Sequence, residues 1–141
     1  MKILKLFIPV TMLIMVYSAA KAGSSDEGML TKTHAINTYV DAVTRGKMDG
    51  LADVIDQSAK FTVMQGKHLN SYTKKQMIDF LSTVKNIEMD CTTNTAVFES
   101  NANITIVKVD MQFNGFMRSN YVTIANTGNG WKIINVYSIL T

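Results

Sequence analysis

The sequence has 141 residues, 14 Lys and Arg against 11 Asp and Glu, a formal net charge of +3 and one cysteine. That length suits a single domain with one core of its own. A lone cysteine excludes an internal disulfide, and with no CxxC, His-rich tract or metal-ligand spacing the sequence gives no metal site and no cofactor.

The chain opens with Lys2 and Lys5, then an apolar run of about a dozen residues, too short to span a bilayer. Ala20-Lys21-Ala22 follows, the small-x-small pattern cut by signal peptidases. Residues 1–22 are therefore expected to be a removed signal peptide, with Gly23 the mature start. The expected protein is exported, periplasmic or secreted, and keeps no stable membrane anchor. Lys2, Lys5 and Lys21 fall in the leader and no acid does, so 11 charges of each sign remain. The basic excess belongs to the leader, and binding to nucleic acid is not expected.

Residues 23–30 are small and polar and read as a flexible N-terminus. Residues 31–45 read as a helix, with Ile36, Tyr39, Val40 and Val43 recurring on one face. Thr31 or Thr33 caps its start and Gly46 ends it. A short second helix is expected from about Asp49, its N-cap, with Leu51, Val54 and Ile55 inward. Residues 60–64 form a short strand, turned by Gln65-Gly66, and residues 67–69 return beside it. Thr73-Lys74-Lys75-Gln76 is a capping-box pattern that launches a helix to about Asn86, with Met77, Phe80, Leu81 and Val84 as its apolar stripe.

From Ile87 the apolar period changes to two. Four strands fit, at about 87–98, 103–113, 116–125 and 131–140. Asn114-Gly115 between Phe113 and Phe116 is the strongest hairpin signal. Strands joined by such short turns make an antiparallel meander. In the last strand, strict alternation puts Trp131, Ile133, Asn135, Tyr137 and Ile139 on one face and Lys132, Ile134, Val136, Ser138 and Leu140 on the other. The fold class expected is α+β, with about three helices packed on one face of a curved antiparallel sheet. Cys91 is expected to be a buried strand residue. Asn103-Ile104-Thr105 matches a glycosylation sequon.

This order of elements resembles the nuclear transport factor two-like superfamily, the cone-shaped fold that includes ketosteroid isomerase, scytalone dehydratase and the polyketide cyclases. Tyr39-Val40-Asp41-Ala42, the Gly46-Lys47-Met48-Asp49 break and the closing Gly130-Trp131-Lys132-Ile133-Ile134 carry the resemblance. It covers about residues 31–140, the expected domain being 31–141. The chain is similar in particular to small exported bacterial members filed as lumazine-binding. The resemblance implies a concave pocket between helices and sheet, and often a homodimer through the outer sheet face. An apolar outer face would fit such an interface.

Six residues are candidates for that pocket. His68 ends the second short strand near the expected mouth, and histidine is the residue type suited to proton transfer near neutral pH. Tyr39 lies on the buried helical stripe, its hydroxyl available to a ligand. Arg118 and Asn120 share a face with Phe116, Val122 and Ile124. If that face is concave they meet an anionic or amide-bearing ligand, and if it is convex they are rim or dimer residues. Trp131 and Tyr137 on the closing strand complete the set. No acid is forced into the pocket beside a donor, so the isomerase constellation does not carry over and no catalytic residue is assigned. The expected function is to hold a small apolar molecule in the cone. The alternatives are an isomerase- or dehydratase-like enzyme using His68, and a partner-binding module acting through its sheet face.

Overall fold

Helix α1, Lys32–Arg45, starts where the Thr31 hydroxyl accepts the His34 backbone N–H at 3.1 Å. It stops at Gly46, whose N–H reaches Ala42 O at 3.1 Å while the Lys47 N–H reaches Asp41 O at 3.3 Å, a Schellman-type closure. Gly46 has φ 65°, and a Cβ there would lie 2.5 Å from Asn86 N and 2.6 Å from Val84 O. Glycine is thus required twice, by dihedral and by space. These elements come from a computed structural model, which describes residues 31–141; the expected signal peptide and the 23–30 segment lie outside the described residues. The buried face of α1 is Ala35, Tyr39, Ala42 and Thr44, with Ile36, Val40 and Val43 half-buried at its flanks. The expected stripe is rotated toward the two alanines, whose small side chains let the helix approach the sheet closely.

Helix α2, Leu51–Val54, is one turn. Its N-cap is Gly50 at φ 76° with no side-chain bond, so the expected Asp49 cap is corrected. The turn is closed from elsewhere: Lys74 Nζ donates to Ala52 O at 2.7 Å and Ile55 O at 2.8 Å, a cation on the free carbonyls of a helix end. Strand β1, Ile55–Gln65, then pairs with β2, His68–Thr73. Helix α3, Lys74–Thr83, follows at once, and both bonds of the capping box are present: Gln76 N–H to the Thr73 hydroxyl, and Thr73 N–H to Gln76 Oε1. Among the described residues there are therefore two full helices and a single helical turn, where about three helices were expected.

The meander is β3, Thr92–Ser100; β4, Ile104–Phe113; β5, Phe116–Thr127; and β6, Gly130–Leu140. At the β4–β5 hairpin the Phe113 and Phe116 rings stack at 4.7 Å, and Gln112 Nε2 ties together the carbonyls of both residues. The six strands run in the order β2-β1-β6-β5-β4-β3. The expected all-antiparallel sheet is corrected at one seam, where β1 pairs with β6 in parallel. The last strand lies beside the first because the meander carries the chain back across the sheet. Cys91 lies just before β3 and is half-buried against the core rather than within a strand.

Two irregularities set which side chains face inward. In β1 the register with β6 slips between Ile55 and Lys60. There Asp56 accepts the Ser58 N–H at 2.9 Å and the Ser58 hydroxyl, bonds that hold the exposed Asp56 carboxyl below its ordinary pKa. In β6 the register with β5 slips between Thr123↔Asn135 and Ile124↔Ile133. That bulge resets the parity of the strand. Trp131 and Ile133 face the helices with Ile124, and so do Val136, Ser138 and Leu140 beyond the bulge. Asn135, Tyr137 and Ile139 are on the outer face. The core lies between the helices and this concave face: Tyr39, Leu51, Val54, Ile55, Phe61, Val107, Val109, Met111, Val122, Ile124, Ile133 and Val136 are its larger buried side chains, with Leu81 from α3.

Candidate functional site

The register lays two rows of side chains across the concave face. One runs Val63–Ser138–Asn120–Val109, and the next runs Leu140–Arg118–Met111. Three polar residues thus sit side by side within otherwise apolar rows. Asn120 is 0% exposed and Ser138 3%. Burial of such groups demands bonded partners, and they supply them to one another. The Ser138 hydroxyl donates to Asn120 Oδ1 at 2.5 Å, and Arg118 Nε donates to the same oxygen at 3.3 Å. Arg118 Nη2 lies 3.5 Å from the Ser138 oxygen, and Asn120 Nδ2 points at the Met111 sulfur at 3.7 Å.

Arg118 also faces a pocket of about 240 Å³, lined by Val63, Tyr72, Gln76, Met77, Phe80, Arg118 and Leu140. Helix α3 supplies Gln76, Met77 and Phe80, and the four strands β2, β1, β6 and β5 supply the rest. Among the described lining residues Arg118 carries the only charge. Leu81 is the one fully buried residue of α3, while Phe80 is 59% exposed at the rim. The apolar stripe expected to be core is thus partly pocket wall. Below, Tyr39 is 2% exposed. Burial pushes its phenol up to about 12, against the opposing pull of the Arg118 charge. It is a neutral hydroxyl at physiological pH, with no base function.

The six candidates are distributed as follows. Arg118 and Asn120 are on the concave face and adjacent, which decides the alternative the alternation had left open. Tyr39 is buried within reach of the Arg118 field. Trp131 is also concave but at the far end, half-buried against the core with Lys32 Nζ 4.5 Å from its ring centroid. Tyr137 is on the outer face, paired with Tyr121 across the strands; the bulge separates it from Trp131. His68 is exposed at the start of β2, opposite Gln65, and is not among the pocket's lining residues. Sequence reading missed Ser138, Gln76 and Tyr72. Ser138 had a usable signal, a polar residue between Val136 and Leu140, but only once the bulge is known does it face the same way as Asn120.

The outer face is mixed. Tyr121 stacks on Phe98 at 6.0 Å, with Lys108 Nζ 5.8 Å from its ring, and Asp110 accepts from Lys108 at 3.4 Å and from the Ser119 hydroxyl at 2.6 Å. Among the described residues no three His, Cys, Asp or Glu side chains cluster as a metal site, and no helix is long and apolar enough to cross a membrane.

A fold of two helices over a curved six-stranded sheet, with a pocket at the open end, is the NTF2-like α+β architecture. The family profile described as "Putative lumazine-binding" matches residues 29–138, and the chain belongs to that family. Among solved structures, an NTF-2 like protein of unknown function from Silicibacter pomeroyi DSS-3 is 18% identical, covering 84% of this chain and 100% of that one, with TM-score 0.65. An NTF2-like protein of unknown function from Shewanella baltica OS155 is 9% identical over 77% of this chain and 90% of its own, with TM-score 0.66. A protein titled putative ketosteroid isomerase from Parabacteroides distasonis ATCC 8503 is 11% identical over 77% and 86%, with TM-score 0.56. At these identities they share the fold. No curated protein matches the sequence significantly.

Proposed function

We propose that the protein binds a small, largely apolar molecule in the 240 Å³ pocket under α3, after export, as a homodimer joined through the outer sheet face. One feature carries the first statement: an apolar recess with a few convergent polar groups at one end, the general build of small-molecule sites. The family description names lumazine, a flat bicyclic, and the volume suits a molecule of about that size. Tyr72 and Phe80 at the mouth offer ring faces to a planar ligand. Export is supported by the leader pattern of residues 1–22, and the dimer by the half-buried Tyr121, Tyr137 and Ile139 of the outer face.

The test is native mass spectrometry of the protein purified gently from its own host compartment. The expected spectrum shows a chain beginning at Gly23, a dimer, and a small-molecule mass that disappears in Met77→Trp, which fills the pocket. A bare protein mass, together with no uptake of any flat bicyclic compound, overturns the binding role. A chain that keeps its first 22 residues overturns export, and a monomer at all concentrations overturns the dimer.

A further inference from the structure

Arg118, the single charge among the described lining residues, has no counter-charge among the described residues. Arg45 pairs with Asp41 and Lys108 with Asp110, each within 4 Å, as Lys75 does with Asp79. Lys74 sits on two carbonyls. Arg118 is different. No described carboxylate is ion-paired to it, and no acid is among the described residues lining the pocket. It is half-buried against an apolar wall, where an uncompensated cation is costly to hold.

Its geometry is nonetheless fixed. Nε donates to Asn120 and Nη2 approaches Ser138, and both partners are themselves buried and bonded to each other. A guanidinium has five N–H groups. Two are directed to these partners, leaving three, among them the pair at the Nη1/Nη2 end. That end is the fork a carboxylate accepts bidentately. Tyr39, 2% exposed, adds a phenol close enough to feel the Arg118 charge.

We infer that the natural ligand is a monoanion, a flat or aliphatic apolar body ending in a carboxylate, with the carboxylate on the free fork of Arg118 and the apolar body between Met77, Phe80, Val63 and Leu140. This rests on the binding role proposed above and specifies its ligand class. A phosphate ester fits less well: the described lining contains no second cation to share a dianion. A neutral ligand leaves the cation unmatched.

The experiment is calorimetric titration of the wild-type protein with naphthalene-2-carboxylate and with its neutral isostere naphthalene-2-carboxamide at neutral pH. The carboxylate is expected to bind roughly tenfold tighter or better, the margin of a charge-assisted pair over a neutral one. Arg118→Gln is expected to abolish the preference, and Arg118→Lys to restore part of it. Should Arg118→Gln fail to fold, the salt dependence of the wild type serves instead. Carboxylate affinity falls between about 20 mM and about 500 mM salt while carboxamide affinity does not. Equal binding of the two probes, or a preference that survives Arg118→Gln, overturns the anion assignment and leaves the pocket standing. Failure of both probes, with Met77→Trp no different, overturns the pocket and this inference together.

Discussion

The two ends of the concave face have the same alternating sequence pattern and opposite fates. At one end Trp131, Ile133, Ile124 and Val107 lie under α1 and α2, and the region is closed core. At the other, Val63, Leu140 and Arg118 lie on the same sheet face in neighbouring rows, yet they line an open pocket. The difference is the cover. Helix α1 spans 14 residues and packs on β4, β5 and β6, whereas α3 has 10 and packs chiefly on β1 and β2. Inward-facing apolar residues become core only where a helix is long enough to seal them. Where it is not, the same residues become a binding surface, and a polar cluster such as Arg118–Asn120–Ser138 can be placed among them.

The closed end is where a small change does most damage. Gly46→Ala places a Cβ against backbone atoms of residues 84–87 at a positive φ. It is expected to lower stability by about 3–5 kcal/mol. Urea unfolding measures this, and a loss under about 1 kcal/mol would mean that the contact between α1 and the loop after α3 gives way easily. Ile124→Ala, 0% exposed, is expected to cost about 3 kcal/mol through lost transfer energy and a cavity. The outcome that would erase the contrast between the two ends is a cost for Ile124→Ala no greater than that of truncating Leu140 at the pocket.

Between the two ends lies Tyr39. Its folded pKa of about 12 exceeds the ordinary value of 10.0. A group raised in the folded state stabilises fully below its unfolded pKa, and that contribution is lost as pH rises through the folded value. The stability of the wild type is therefore expected to fall between pH 10 and pH 12, by roughly 2–3 kcal/mol from this residue. Tyr39→Phe should lack that part of the fall while changing stability little at pH 7, since the hydroxyl has no hydrogen-bond partner among the described residues. Denaturant midpoints across this window decide it. A mutant whose alkaline slope matches the wild type places the phenol in contact with water.

Much of the fold was legible in the sequence wherever it depends on local signals. Gly46, the Thr31 cap, the Thr73–Gln76 capping box and the Asn114-Gly115 hairpin each act within a few residues, and each falls where its chemistry directs. The pocket was legible only in part, because it depends on relations between distant segments. Arg118 and Asn120 announce themselves as polar residues on an apolar face, but which face is inner is set by the helices. The β6 bulge has no glycine or proline to mark it, and it moves Tyr137 outward and Ser138 inward. The parallel seam between β1 and β6 is a property of the whole chain path. Phe80 reads as core by helical spacing, and only the shortness of α3 leaves it at the rim.

Phe80 also offers the mildest way to separate the two ends. Phe80→Ser removes a ring that is 59% exposed and contributes little to the core, so its effect on stability is expected to stay within about 0.5 kcal/mol. Its effect on uptake should be larger, because the ring forms one wall of the pocket and an aromatic wall supplies both area and a face for stacking. Weaker binding of naphthalene-2-carboxylate with an unchanged unfolding midpoint is therefore the expected pair of results, and the preference over the carboxamide should survive, since Arg118 is untouched. A variant that binds normally would remove Phe80 from the site and move the apolar contact to Tyr72 and Met77. One that loses stability as it loses binding would mean that α3 is held to the sheet through this ring, and that the open end is packed more like the closed one than its exposure suggests.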